Sequence, residues 1–315
     1  MKVKSLKPGS TIGIICPASK ADMKSTRLPK MEEILTSWGF HFRYGASCYQ
    51  EDGYLAGTDD ERRHDLEAMF LDPSIDAILC LKGGYGTSRF VDRIDYSIIK
   101  NHPKLFLGFS DITVLLNNFY TKAALPTLHG QVGIFVGSPF QDQFSLQDFH
   151  TALTQPMKGR ILSSPATTTI TTMVTTMVEG VAKGILVGGN LSLIAHLVGT
   201  PYEIPFRNHI VFIEEVNEAP YRIDRMLTQL RLSGRLQEAK GFIIGHMTDC
   251  TSDAASNKTL DLLFYEFLAP LGKPVLSHFA SGHEFPFINL PIGLEVSLDA
   301  NNQTITVLEE LYEED

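Results

Sequence analysis

Residues 76–122 read DAILCLKGGYGTSRFVDRIDYSIIKNHPKLFLGFSDITVLLNNFYTK, with two short apolar runs that each end in a change of pattern. The first, DAILCL (76–81), runs into Lys82-Gly83-Gly84-Tyr85-Gly86. The second, KLFLGF (104–109), runs into Ser110-Asp111 and a helical pattern over 111–122. Short, uniformly apolar runs predict strands buried on both faces. The same alternation occurs upstream. TIGIIC (11–16) predicts a strand, 25–37 a helix stopped by Gly39, 40–44 a strand, and 59–70 a helix with Asp59 and Asp60 at its positive end. Strands alternating with helices make a parallel sheet covered on both faces. The N-terminal half therefore predicts a doubly wound sheet of Rossmann or flavodoxin type.

A helix is predicted over 141–153. Residues 163–181 are rich in threonine and carry two TTM triplets, which read as extended strand and connection, a crossing between domains, because the β-branched content favours strand over a flexible linker. Alternation then resumes. Strands are predicted at 184–187, 209–214, 241–245, 274–279, 292–296 and 304–308, with helices at 191–197, 221–232 and 259–267. The fold class is α/β with two domains, an N-terminal one over 1–165 and a smaller C-terminal one with a mixed sheet over 166–315.

Composition narrows the function classes. Lys and Arg total 27 against 36 Asp and Glu, a net charge of −9, whereas a nucleic-acid binder needs a basic face. At 43% hydrophobic and 20% charged residues, the chain predicts a globular protein and not a disordered one. No apolar run approaches the ~20 residues of a membrane span, and no secretory signal is read at the N-terminus. Cys16, Cys48, Cys80 and Cys250 form no C-x-x-C pair, so a reducing cytoplasm is the expected compartment. No H-E-x-x-H and no Walker A sequence occurs.

Ligands of open α/β sheets bind beyond the carboxyl ends of the strands. At those positions stand the glycine-rich turn 83–86, Ser110-Asp111, Glu214-Glu215 and Gly282-His283. The order Ser…Glu…His is that of α/β-hydrolases. Ser110 comes from the first predicted domain and the others from the second, which predicts a cleft site. Each residue also has a plainer reading. Ser110 opens a helix, where serine is a favoured N-cap, and G-F-S-D-I is not G-x-S-x-G. The glycines are a tight turn, with Arg89 where a dinucleotide fingerprint needs its third glycine. Glu214 and Glu215 are partners for Arg222 or Arg225, His283 is a loop histidine, and Cys16 is a buried thiol.

Taken together, the motifs resemble a known family. KGGYG (82–86), GFSDIT (108–113) and His129-Gly130 resemble the N-terminal domain of the LD-carboxypeptidases, the muramoyl-tetrapeptide carboxypeptidases of bacterial cell-wall recycling. GGNL (188–191), GTPY (199–202), EEVNEAPYRIDR (214–225) and Gly282-His283 extend the resemblance over nearly the whole chain. The resemblance implies a serine peptidase with Ser110 as nucleophile, Glu214 as acid and His283 as base. The implied oxyanion donors are backbone N–H groups of Asp111 and of the Gly83-Gly84 turn. No metal and no cofactor are implied. The implied substrate is a murein tetrapeptide losing its terminal D-Ala, and the implied assembly a homodimer. Lys82, Gln131 and Glu215 stand where arginine, proline and aspartate are usual. Neighbours on a strand face opposite ways, so only one glutamate can serve, and Glu214 is chosen. Lys82, Arg89, Arg222 and Arg225 are candidates to hold the substrate carboxylate. A second branch of the family confers microcin immunity by cleaving peptidyl- or aminoacyl-nucleotides, but the 214–225 stretch looks more like the cell-wall branch. A non-catalytic ligand-binding α/β protein is the alternative of another class.

Overall fold

The computed structural model describes residues 1–165, 173–251 and 259–313. The chain divides into two compact units, Met1–Met157 with Asn289–Gly293 and the C-terminal segment from Glu310, and Lys158–Ile288 with Leu294–Glu309. The predicted contiguous division at 165/166 thus differs from these units, because two late segments belong with the first one.

The first unit is built on β1 (Thr11–Ile15), β2 (His41–Tyr44), β3 (Ala77–Cys80), β4 (Leu105–Gly108) and β5 (Thr127–His129). They lie parallel in the order β5-β4-β3-β1-β2. This is the doubly wound order, and the direction of winding reverses between β1 and β3. β1, β3 and β4 carry almost nothing but buried apolar side chains, as strands covered on both faces must. Helix Arg27–Ser37 buries Leu28, Met31, Ile34 and Leu35, one stripe at helical spacing. Helix Asp59–Leu71 starts in a Thr58/Glu61 capping box.

The second unit has β6 (Ile161–Leu162), β7 (Thr175–Val178), β8 (Val181–Asn190), β9 (His209–Val216), β10 (Gly241–Thr248) and β11 (Val275–Ser277). Then β12 (Leu290–Ile292) returns to the first unit and pairs antiparallel with β5, before β13 (Glu295–Asp299) and β14 (Thr304–Val307) complete the second. Its sheet is mixed, in the order β6-β14-β13-β8-β9-β10-β11-β7, with β8 to β11 parallel and the flanking strands antiparallel.

Two sequence expectations change. The strand expected at 292–296 is the end of β12 and the start of β13, separated by Gly293 at φ +89°. A Cβ there would lie 2.8 Å from the Tyr120 ring, so the turn needs glycine. The strand expected at 184–187 is the ten-residue β8, and Gly188-Gly189 lies inside it. A Cβ on Gly188 would strike the Phe212 carbonyl, so this glycine permits close approach of β9. In the Thr-rich stretch the expected strand is present as β7, and 166–172 lies outside the described residues. Gln131, where proline is usual, uses the N–H that proline lacks: it donates to Asn289 Oδ1 at 3.2 Å, tying the β12 segment to the first unit. Among the described residues, no helix is long and apolar enough to cross a membrane.

Candidate active site

In the first unit β4 ends at Gly108, Phe109 is extended, and Ser110 turns into the left-handed region at φ +65°. One 3-10 turn, Ser110–Ile112, leads into helix Thr113–Ala123. A non-glycine residue held left-handed costs of order 1–3 kcal/mol and persists only where its surroundings impose it. The N-cap positions are Phe109 and Ile112, and neither makes a side-chain cap bond, so Ser110 does not occupy a cap position. A strand, a sharp strained turn and a helix make the local form of a nucleophile elbow. The G-x-S-x-G pattern is incomplete because Ile112 fills the space beside Gly108: a Cβ on Gly108 would stand 2.8 Å from Ile112 Cγ2.

The glycine-rich turn follows β3. A Cβ on Gly83 would lie 3.0 Å from Ser110 Cβ and 3.3 Å from Ser110 Oγ, so the turn's backbone faces the serine. Gly84 and Gly86 have φ +113° and +131°, and a Cβ on Gly84 would strike Ser19 Oγ. Ser19, from the loop after β1, fixes the turn by donating its N–H to Gly83 O at 3.3 Å and accepting from Tyr85 N at 3.0 Å. Asp111 is buried and binds the turn to the start of the helix. Its Oδ2 accepts from Thr87 N at 2.9 Å and its main-chain oxygen from Thr87 Oγ1 at 2.7 Å. Burial raises the Asp111 carboxyl pKa, against the hydrogen bonds from Thr87 and the Gly86 N–H.

Sequence reasoning missed Arg62, whose side chain is fully buried. Its Nη1 donates to Pro17 O and Gly86 O, both at 2.8 Å, and its Nε to Gly57 O at 3.3 Å. The guanidinium also pairs with Asp59 and lies 5.0 Å from the Phe90 ring centroid. One side chain thus clasps three loops, the glycine turn among them. Its spacing to Leu66 and Met69 on the buried helix face was the available signal, obscured by the charged run DDERR.

In the second unit Glu214 and Glu215 end β9, both buried. Glu214 Oε2 lies 2.7 Å from His283 Nδ1. Glu215 faces the other way: it accepts from Asn190 Nδ2 at 2.8 Å, Ser192 N at 2.8 Å and Ser192 Oγ at 2.7 Å, anchoring helix Leu191–His196. Gly282, at φ +138°, brings the imidazole in, because a Cβ there would meet His246 Cβ at 2.9 Å and Glu214 Cβ at 3.3 Å. Burial pulls the His283 pKa down, but the Glu214 carboxylate outweighs it, and the imidazole stands above its ordinary value. A carboxylate on Nδ1 fixes the tautomer and orientation of the ring.

Of the predicted residues, Ser110, Gly83, Gly84 and Asp111 stand together in the first unit, and Glu214 and His283 together in the second. The candidate cations are engaged locally: Lys82 Nζ donates to Lys20 O at 3.2 Å, Arg89 binds Asp59 at 2.8 Å, Arg222 binds Glu218 at 3.3 Å, and Arg225 lies 5.5 Å from the Tyr221 ring centroid.

Residues 12–130 match the LD-carboxypeptidase N-terminal domain, and residues 183–298 the LD-carboxypeptidase C-terminal domain. The probable murein peptide carboxypeptidase of Bacillus subtilis (strain 168) is 37% identical over 310 residues, spanning 97% of this chain and 94% of that protein. The murein tetrapeptide carboxypeptidase of Pseudomonas aeruginosa is 30% identical over 296 residues, spanning 92% of this chain and 93% of that protein. The solved structure of MccF in complex with glutamyl sulfamoyl guanosine shares the fold, with a TM-score of 0.89, 24% identity and 99% of each chain covered.

Proposed function

This chain belongs to the LD-carboxypeptidase family, and from that premise we propose that it is a serine carboxypeptidase removing the terminal D-Ala of murein tetrapeptides. The observation that carries the reading is the 2.7 Å bond between buried Glu214 and His283 Nδ1, which prepares an imidazole for proton transfer. In the proposed mechanism Ser110 Oγ attacks the carbonyl before D-Ala while His283 Nε2 takes its proton. The same imidazolium then protonates the leaving amine. Glu214 holds the tautomer and stabilises the positive charge. Backbone N–H groups of Asp111 and of the Gly83-Gly84 turn receive the oxyanion, where loss of one donor typically costs ~3 kcal/mol. Water releases the acyl group by the reverse sequence.

Solved MccF and MccF-like structures at 24–27% identity support the peptidyl-nucleotide alternative, whereas the relatives named for murein peptides reach 37% identity. The proposed setting is the cytoplasm and the proposed assembly a homodimer. Incubation with a murein tetrapeptide and, separately, with an aminoacyl-nucleotide, each read by mass spectrometry, tests the substrate. D-Ala release from the first is expected. Cleavage of only the nucleotide conjugate selects the alternative, and binding without cleavage selects a non-catalytic role. Dialysis against a chelator is expected to leave the rate unchanged, because a serine mechanism needs no metal; activity lost and restored by zinc overturns it.

A further inference from the structure

The two oxyanion donors of the proposed mechanism come from different chain segments, the glycine turn after β3 and the elbow after β4. β3 pairs with β4 only as far as Leu79 and Leu107, so beyond those residues the ladder sets no spacing. Thr87 bridges the gap. It directly follows the glycine turn, opens the 3-10 turn Thr87–Arg89 and is fully buried. Its N–H donates to Asp111 Oδ2 at 2.9 Å and its hydroxyl to Asp111 O at 2.7 Å. One residue of the turn thus grips Asp111 at both its side chain and its carbonyl.

A residue held at its carboxylate and at its carbonyl cannot turn about its own Cα, so the direction of its N–H is fixed with them. The residue before Asp111 is Ser110, at φ +65°, and a strained conformation persists only where its surroundings impose it. The glycine turn has other holders of its own. Ser19 grips it through Gly83 O and Tyr85 N, and Arg62 through Gly86 O. Turn and elbow are therefore one braced piece, and Thr87 is the joint between them. The main-chain bond to Asp111 Oδ2 is available to any residue but proline. The bond to the Asp111 carbonyl belongs to the hydroxyl, which makes it separately removable.

We propose that Thr87 is a positioning residue of the oxyanion hole, its hydroxyl holding the Asp111 N–H in register with the Gly83-Gly84 turn. The proposal rests on the serine-peptidase reading, and its test separates the two. Thr87→Val keeps the side-chain volume and deletes the hydroxyl, whereas Thr87→Ser keeps the hydroxyl and deletes a methyl. Thr87→Ala set beside Thr87→Ser isolates the hydroxyl a second time and stands in if the valine variant does not fold. Phosphonylation of Ser110 by a fluorophosphonate probe, followed by mass spectrometry, compares them without a peptide substrate, because the phosphoryl oxygen takes the place of the oxyanion. Rates are compared where circular dichroism shows each variant fully folded, so loss of stability alone moves none of them. Thr87→Val is expected to slow phosphonylation, and to lower kcat for D-Ala release with KM nearly unchanged, by about 10- to 100-fold, the scale of a misplaced donor. Thr87→Ser is expected to recover all but about threefold of both rates, since the hydroxyl still reaches the carbonyl. Equal rates in the valine and serine variants, or a rise in KM in place of the fall in kcat, overturn the proposal. If the wild type labels at Ser110 but cleaves no murein tetrapeptide, the carboxypeptidase reading fails and the labelling rates still decide the role of Thr87. A wild type that neither labels nor cleaves overturns the proposal as well, because no oxyanion hole then exists to be positioned.

Discussion

Ser110→Ala is expected to lower kcat for D-Ala release by on the order of 10⁵-fold, the scale of removing a nucleophile from a triad. Stability should move by no more than about 1 kcal/mol, the scale of one hydroxyl's hydrogen bonding, since alanine at φ +65° carries the same Cβ strain. Ser110→Gly gives the sharper comparison. It deletes the hydroxyl and also relieves the left-handed strain, so it should be equally inactive yet more stable by about 0.5–1 kcal/mol. Chemical denaturation and the D-Ala assay measure both quantities. Near-normal turnover in the alanine variant would return Ser110 to a purely backbone role.

Glu214→Gln is expected to cost about 10³- to 10⁴-fold in kcat, because an amide neither fixes the productive tautomer nor balances an imidazolium. The pH profile carries a signature of its own. His283 must be neutral to act as base, and its pKa is raised, so wild-type kcat/KM should fall as pH drops through that raised value. In Glu214→Gln burial is opposed mainly by the more distant Glu215, and the acid limb should move to lower pH. Stability follows the complementary sign. A raised folded pKa contributes stability that is full below the unfolded value, about 6.5, and is lost as pH rises through the folded value. The stability gap between wild type and variant should therefore be widest in mild acid and narrow above neutrality. Glu215→Gln is the control: loss of hydrogen bonds to a buried carboxylate should cost about 1–3 kcal/mol and move the acid limb less than Glu214→Gln does, because Glu215 is the lesser of the two carboxylate influences on His283. An acid limb that shifts in Glu215→Gln and not in Glu214→Gln would reverse the assignment of the two glutamates.

How far the sequence could be read depended on how directly burial writes itself into composition. β1, β3 and β4 are uniformly apolar and end at polar residues or glycine, so they were legible within a residue or two. β5 is three residues long and flanked by prolyl and glycyl turns, too short for any period to show. Gly188-Gly189 looked like punctuation because the reason for it, the approach of β9, lies over twenty residues away in the chain. Period-two alternation separated the directions of Glu214 and Glu215, but choosing between them took the family motif, and only coordinates show that His283 meets Glu214. The elbow at Ser110 was hidden for a similar reason. The second glycine that would have announced it is replaced by Ile112, and Gly108 alone makes the room.

The return of β12 to the first unit has a consequence for biosynthesis. β5 gains its outer neighbour only when residues 290–292 have been made, more than a hundred residues after the rest of that sheet. At roughly 5–20 residues per second, β5 waits on the order of ten seconds as an open edge on the nascent chain. Unpaired edges are templates for wrong partners. Vectorial synthesis therefore cannot finish the N-terminal unit first and the C-terminal unit second. A ribosome stalled before residue 290 presents a sheet that lacks its last strand, and a gene truncated there encodes two unfinished units.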